Sequence, residues 1–119
     1  MNTKAVLTSY IQCALWSSMD DSGEPLDGQY SEEDLSAETI EKMTADVERF
    51  VREAKDAIID SGISESDIGH DFWLTRNGHG AGFWDRGLDK EVSDQFCKIC
   101  DSFGSCELYL DDDNEIHIA

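Results

Sequence analysis

Positive charge is scarce in this chain. Nine Lys and Arg stand against 27 Asp and Glu in 119 residues, a formal net charge of −18 at pH 7. That shortage argues against direct binding of nucleic acid or of an anionic membrane, since both depend on cationic side chains. It favours a basic partner, or an uncharged one, and it requires a core that offsets self-repulsion. Long apolar runs are also lacking: no stretch approaches the roughly 18 residues of a membrane span. The opening MNTKAVLTSYIQC has no clean apolar region followed by a cleavage site, so it does not read as a secretory signal. The four cysteines, Cys13, Cys97, Cys100 and Cys106, are therefore expected reduced, in a cytoplasm. Proline occurs once, at Pro25.

What is present suits one domain, residues 1–119, with 39% hydrophobic residues to supply a modest core. Val6, Leu7, Tyr10, Ile11, Ala14 and Leu15 recur at helical spacing over Thr3–Ser17, with Thr3 as N-cap. The β-branched residues there leave a strand as the alternative. Met19–Glu38 then carries eight acids and no base. With Gly23, Pro25 and Gly28 it reads as a loop with a helical turn near Ser31–Leu35, pinned to the domain by Trp16, Leu26 and Tyr30. Asp20, Asp21, Glu24, Asp27, Glu32, Glu33 and Asp34 form either a solvated connection or an acidic surface presented to a partner. Ser36 caps a long helix, about Ala37–Ser61, whose stripe is Ile40, Met43, Val47, Phe50, Val51, Ala54 and Ile58. Glu48–Arg52 is its expected i,i+4 pair, and Gly62 its C-cap.

His70–Gly87, HDFWLTRNGHGAGFWDRG, is close to a mirror. Asp71-Phe72-Trp73 stands on one side and Phe83-Trp84-Asp85 on the other, with a glycine-rich centre. It reads as a β-hairpin of two aromatic strands, with Trp73 and Trp84 largely buried. Arg76 and Arg86 are expected to pair with Asp71 and Asp85 across the strands. The alternative is a site made of Trp73, Arg76, Asn77, His79, Trp84 and Arg86, suited to an anion or a planar ring. His70 and His79 are acid–base or metal candidates, but no nucleophile motif or phosphate loop accompanies them. A helix over about Asp89–Phe103 ends at Gly104. Cys106–Leu110 and Glu115–Ile118 read as strands joined by Asp111–Asn114. The fold class expected is α+β in the order α-α-β-β-α-β-β, with two β-hairpins forming a small, mainly antiparallel sheet against two or three helices.

Cofactor chemistry finds little support. Cys97-x-x-Cys100 with Cys106 offers three thiols, and Cys13 or His117 would have to complete a zinc set. The pair sits late in its helix, at the unfavourable end of the dipole for a thiolate. Structural, reduced cysteines are expected, with no metal and no cofactor. Asp111-Asp112-Asp113-Asn114-Glu115 superficially resembles a calcium loop but lacks the glycine and the distant glutamate, so it reads as a hairpin turn.

Two stretches together, ALWSSMDDSGEPLDGQY (Ala14–Tyr30) and HDFWLTRNGHGAGFWDRG (His70–Gly87), resemble a family of small acidic proteins encoded by bacteriophages and prophages. They cover about a third of the chain. The resemblance implies a phage origin and expression inside a bacterial cell, and it carries no catalytic residue onto these positions. The expectation is a non-enzymatic accessory protein that binds and modulates a host or phage protein. A nucleic-acid-binding defence protein, inhibited by DNA mimicry, is the specific version. A ligand-binding or enzymatic domain built on the 70–87 hairpin is the alternative.

Overall fold

The computed structural model describes residues 2–20, 22–78 and 82–119. Helix α1 spans Thr3–Ser17. Its cap is Asn2 rather than Thr3, with Asn2 Oδ1 accepting from the Lys4 and Ala5 N–H groups at 3.1 and 3.3 Å. The acidic segment follows as short 3-10 turns at Leu26–Gly28 and Glu32–Asp34. Leu26 is buried there, and Tyr30 packs against the core. Ser36 caps the next helix as expected, accepting from the Thr39 N–H at 3.1 Å. That helix is divided at Ala54 (φ −95°, ψ 10°) into α2, Ala37–Glu53, and α3, Lys55–Ser61. Gly62, at φ +65°, ends α3 in the left-handed conformation that glycine adopts without strain. Along α2 the i,i+4 pairs are Lys42–Asp46 and Arg49–Glu53 rather than Glu48–Arg52.

The expected aromatic hairpin is a helix. α4 runs Glu65–Arg76, so Ser64–Gly69 is not a link but a cap and first turn. Ser64 Oγ accepts from the Asp67 N–H at 3.1 Å. Phe83–Asp85 is a single 3-10 turn, and His79, Gly80 and Ala81 lie outside the described residues. Two physical reasons account for the difference. The Ser64-x-x-Asp67 spacing is an N-terminal signature of a helix. α4 also buries Ile68, Phe72, Trp73 and Leu74 on several sides at once, which erases the one-sided stripe by which an amphipathic helix is recognised. The near-mirror of the sequence is a likeness of composition, with no strand pairing behind it among the described residues.

Helix α5, Lys90–Phe103, leads to the two strands among the described residues, β1 (Leu108–Leu110) and β2 (Ile116–Ile118), paired antiparallel with Tyr109 opposite His117. The architecture is therefore mostly helical with a C-terminal hairpin, and the two-hairpin α+β order is overturned. The Ile116 carbonyl accepts from the Ser36 N–H at 2.9 Å and from Thr39 Oγ1 at 3.2 Å, fixing β2 to the start of α2. No helix among the described residues is long and apolar enough to cross a membrane.

Aromatic rings assemble the core. Phe72 of α4 stacks on Phe50 of α2 with centroids 4.1 Å apart, and Phe83 stacks on Phe96 of α5 at 4.0 Å. Tyr10 of α1 closes the other side of Phe72 at 4.9 Å. Such pairs contribute about 0.5–1.5 kcal/mol each beyond the area they bury. α1 and α4 meet at Gly69, where an added Cβ would fall 2.8 Å from the Tyr10 backbone nitrogen and 2.9 Å from Ser9 Cβ. Ser9 Oγ donates to the Ser66 carbonyl at the same crossing.

Candidate functional site

An open groove runs over α1 between the acidic segment and the start of α4. Its cavity is about 640 Å³. It is lined by Thr8, Gln12 and Trp16 on the exposed face of α1, with the buried Ile11, Cys13 and Leu15 at its edges, by Asp27, Tyr30 and Glu32 of the acidic segment, and by Ser66 and His70 of α4. Trp16 stands in the groove, 58% exposed. Its ring lies 5.9 Å from the His70 imidazole at an interplanar angle of 33°. His70 Nδ1 is in turn 3.4 Å from Asp71 Oδ1.

Neither the thiol nor the buried hydroxyl in the groove is activated as a nucleophile. Burial, with Asp71 adding to it, pushes the Cys13 thiol up to about 12, so it is no thiolate at neutral pH. The Ser9 hydroxyl is committed to the Ser66 carbonyl. His70 therefore has no activated nucleophile to serve at either position. What the groove offers is an exposed indole with apolar side chains beside it and carboxylates at its border.

The acidic residues divide into two kinds. Asp20 and Asp34 are partly buried and hold the backbone: Asp20 Oδ1 accepts from the Ser22 and Glu24 N–H groups at 2.9 and 3.0 Å, and Asp34 Oδ2 accepts from the Ser31 N–H at 2.9 Å. Glu24, Asp27, Glu32 and Glu33 are exposed, and Asp27 and Glu32 border the groove. Among the described residues, no carboxylate of this segment lies within ion-pair distance of a cation. Asp21 lies outside the described residues.

The residues of the alternative site, Trp73, Arg76, Asn77, Trp84 and Arg86, do not converge; His79 falls outside the described residues. Trp73 is buried, and its Nε1–H donates to Ser17 Oγ at 2.8 Å. Arg76 is a buried cross-link. It donates to Asp46 Oδ2 at 2.8 Å, to the Tyr10 hydroxyl at 3.0 Å, and to the Gly104 and Phe103 carbonyls at 2.9 and 3.1 Å. One guanidinium thus ties α1, α2 and α4 to the end of α5, and its partner is Asp46 rather than Asp71 or Asp85. Asn77 bridges the Trp73 carbonyl and the Cys106 N–H at 2.9 and 2.7 Å. Arg86 does pair with Asp71, and also with Asp67 at 3.1 Å, but along α4 instead of across strands. Trp84 is 53% exposed, against the burial expected of it.

All four cysteines are free. Burial raises the thiols of Cys97, Cys100 and Cys106 as well, and Cys100 lies in the core. The groove-lining role of Thr8, Gln12 and Trp16 was missed in the sequence, although their i, i+4, i+8 spacing places them together on the side of α1 away from the Val6–Tyr10 stripe. No protein-family model, curated protein or solved structure matches the chain.

Proposed function

We propose that this is a non-enzymatic accessory protein that acts by binding a basic segment of another protein. The observation that carries the reading is the pairing of Trp16, exposed in the groove, with bordering carboxylates that have no cationic partner among the described residues. An exposed indole in a groove offers surface that a partner can bury, and carboxylates beside it select for Lys and Arg. The sequence resemblance to small acidic phage and prophage proteins supports a setting inside a bacterial cell, with a host protein as partner. A nucleic-acid-binding host factor is the specific version, because its cationic surface is already built for an anion.

The test is affinity capture from a bacterial lysate with the intact protein, followed by binding titrations on the retained partner. Trp16→Ala and the combined Asp27→Asn, Glu32→Gln, Glu33→Gln variant should each weaken binding while leaving the fold intact. Added salt should weaken it further, since screening at physiological ionic strength acts over about 8 Å. Duplex DNA should compete if the partner binds nucleic acid. Salt-independent affinity that survives both variants would refute the reading.

A further inference from the structure

The β1–β2 hairpin brings together three side chains that the groove does not use. Asp111 opens the turn, Glu115 closes it with its carbonyl accepting from the Asp111 N–H at 2.9 Å, and His117, the middle residue of β2, follows two residues later. Their ligating atoms all lie within 4.8 Å of one another. His117 Nε2 is 2.7 Å from Asp111 Oδ2 and 3.6 Å from Glu115 Oε1. We propose that this hairpin tip is a binding site for a first-row divalent metal ion of the zinc type, held by Asp111 Oδ2, Glu115 Oε1 and His117 Nε2.

The distances fit the chemistry. Metal–ligand bonds of about 2.0–2.2 Å place neighbouring nitrogen and oxygen ligands roughly 3.0–3.4 Å apart. The two observed separations from Nε2 bracket that range, so an ion seats by lengthening the His117–Asp111 contact and drawing in the Glu115 carboxylate. The ligands are also held from behind. Asp111 Oδ1 accepts from the Asp113 and Glu115 N–H groups, both at 2.9 Å, which fixes the carboxylate with its other oxygen turned to the histidine. The His117 ring stacks on Tyr109, its cross-strand neighbour, at 5.4 Å and 26°. Outer contacts of this kind orient ligands at metal sites. One imidazole with two carboxylates suits zinc and its neighbours better than calcium, which takes six to eight oxygens. Three protein ligands leave at least one position for water. The field of a chain at −18 raises the local cation concentration around them.

The experiment is calorimetric titration of the intact, reduced protein with zinc chloride, run in parallel with His117→Gln, Glu115→Gln and Cys97→Ser. Backbone amide NMR spectra before and after zinc addition locate the change. A saturable site of one equivalent is expected. His117→Gln should weaken it about tenfold or more, equivalent to about 1.4 kcal/mol or above. Glu115→Gln should weaken it too while leaving the turn bonds to Asp111 in place, and Cys97→Ser should leave it unchanged. Zinc-induced shifts should concentrate between Tyr109 and Ile118. Unsaturable binding, an affinity indifferent to His117→Gln in a folded variant, or shifts centred on Cys97–Cys106 would each overturn the proposal.

Discussion

Replacing Arg76 with methionine keeps most of the side-chain volume and removes every hydrogen bond that the guanidinium makes. The Arg76 side chain is 2% exposed and the Asp46 side chain 8%, so their 2.8 Å contact is a buried ion pair. Removing one member of such a pair typically costs about 3–5 kcal/mol, because the remaining charge stays buried without its partner. Lys42, on the other Asp46 oxygen at 2.8 Å, limits that loss. The Phe103 and Gly104 carbonyls, at the end of α5, lose their donor at the same time, at the pole of the helix where a cation is favoured. A loss of about 3–5 kcal/mol is therefore expected, a large part of the 5–15 kcal/mol typical of a folded domain. Urea unfolding of wild type, Arg76→Met, Asp46→Asn and the double variant measures it, with an unchanged slope m showing that stability rather than compactness has changed. The double variant should be less destabilised than the sum of the singles, by about 0.5–3 kcal/mol of coupling. A loss below about 1 kcal/mol for Arg76→Met, which is the range of an exposed pair, or strict additivity in the cycle, would refute the assignment of Arg76 as the internal cross-link.

Gly69→Ala should lower stability by about 1–3 kcal/mol or more in the same assay, because its Cβ meets α1 backbone that cannot rotate away. Trp73→Ala should cost about 3–5 kcal/mol as a core aromatic. Trp84→Ala, at an exposed position, should fall within about 0.5 kcal/mol of wild type; equal losses would mean that the two rings share an environment. The cysteines predict alkaline instability. Burial raises Cys13 from an ordinary 9.0 to about 12 and raises Cys100 as well, so the folded chain keeps protons that the unfolded chain releases. That contribution is intact below pH 9 and is lost as pH rises from 9 towards 12. Urea midpoints should fall over this window, and less steeply in Cys13→Ala/Cys100→Ala; parallel slopes would show that other groups carry the effect.

Elements with one apolar face could be read from the chain. α2 and α5 carry a stripe on one side and acids on the other; as expected, Ser36 caps the start of α2 and Gly104 stops α5, while Gly62 ends α3. The C-terminal hairpin was legible because its strands flank an Asp-rich turn. α4 was not, since a helix buried on several sides loses its period, and Phe72-Trp73-Leu74 reads as well in a strand as in a helix. The break at Ala54 has no marker residue, because neither Gly nor Pro stands there. Of the site residues, the acids of the loop were visible as charge. The division between Asp20 and Asp34, which bind backbone, and Glu24, Asp27, Glu32 and Glu33, which face solvent, required the folded turns. Trp16 stood out as an aromatic, but its exposure in a groove between the acidic segment and α4 required the fold. The metal-binding triad hid in a segment compared with a calcium loop, because its decisive member, His117, lies two residues beyond the turn.

That division of the acids bears on how a partner is held. Exposed carboxylates contribute only about 0–1 kcal/mol apiece to an ion pair in water. Four of them therefore supply orientation and association rate more than affinity. A partner gripped by charge alone would dissociate readily at physiological salt. The apolar groove changes the balance, because burying a large side chain there is worth about 1.5–3 kcal/mol, and desolvation of the rim strengthens each carboxylate beside it. Specific capture by this surface thus requires a partner that brings both a basic cluster and an apolar anchor spaced to reach Trp16. The phosphate groups of DNA offer a cationic protein no such anchor. On the reading proposed above, an acidic competitor would outlast DNA on the same cationic surface by what the groove adds, not by carrying more charge.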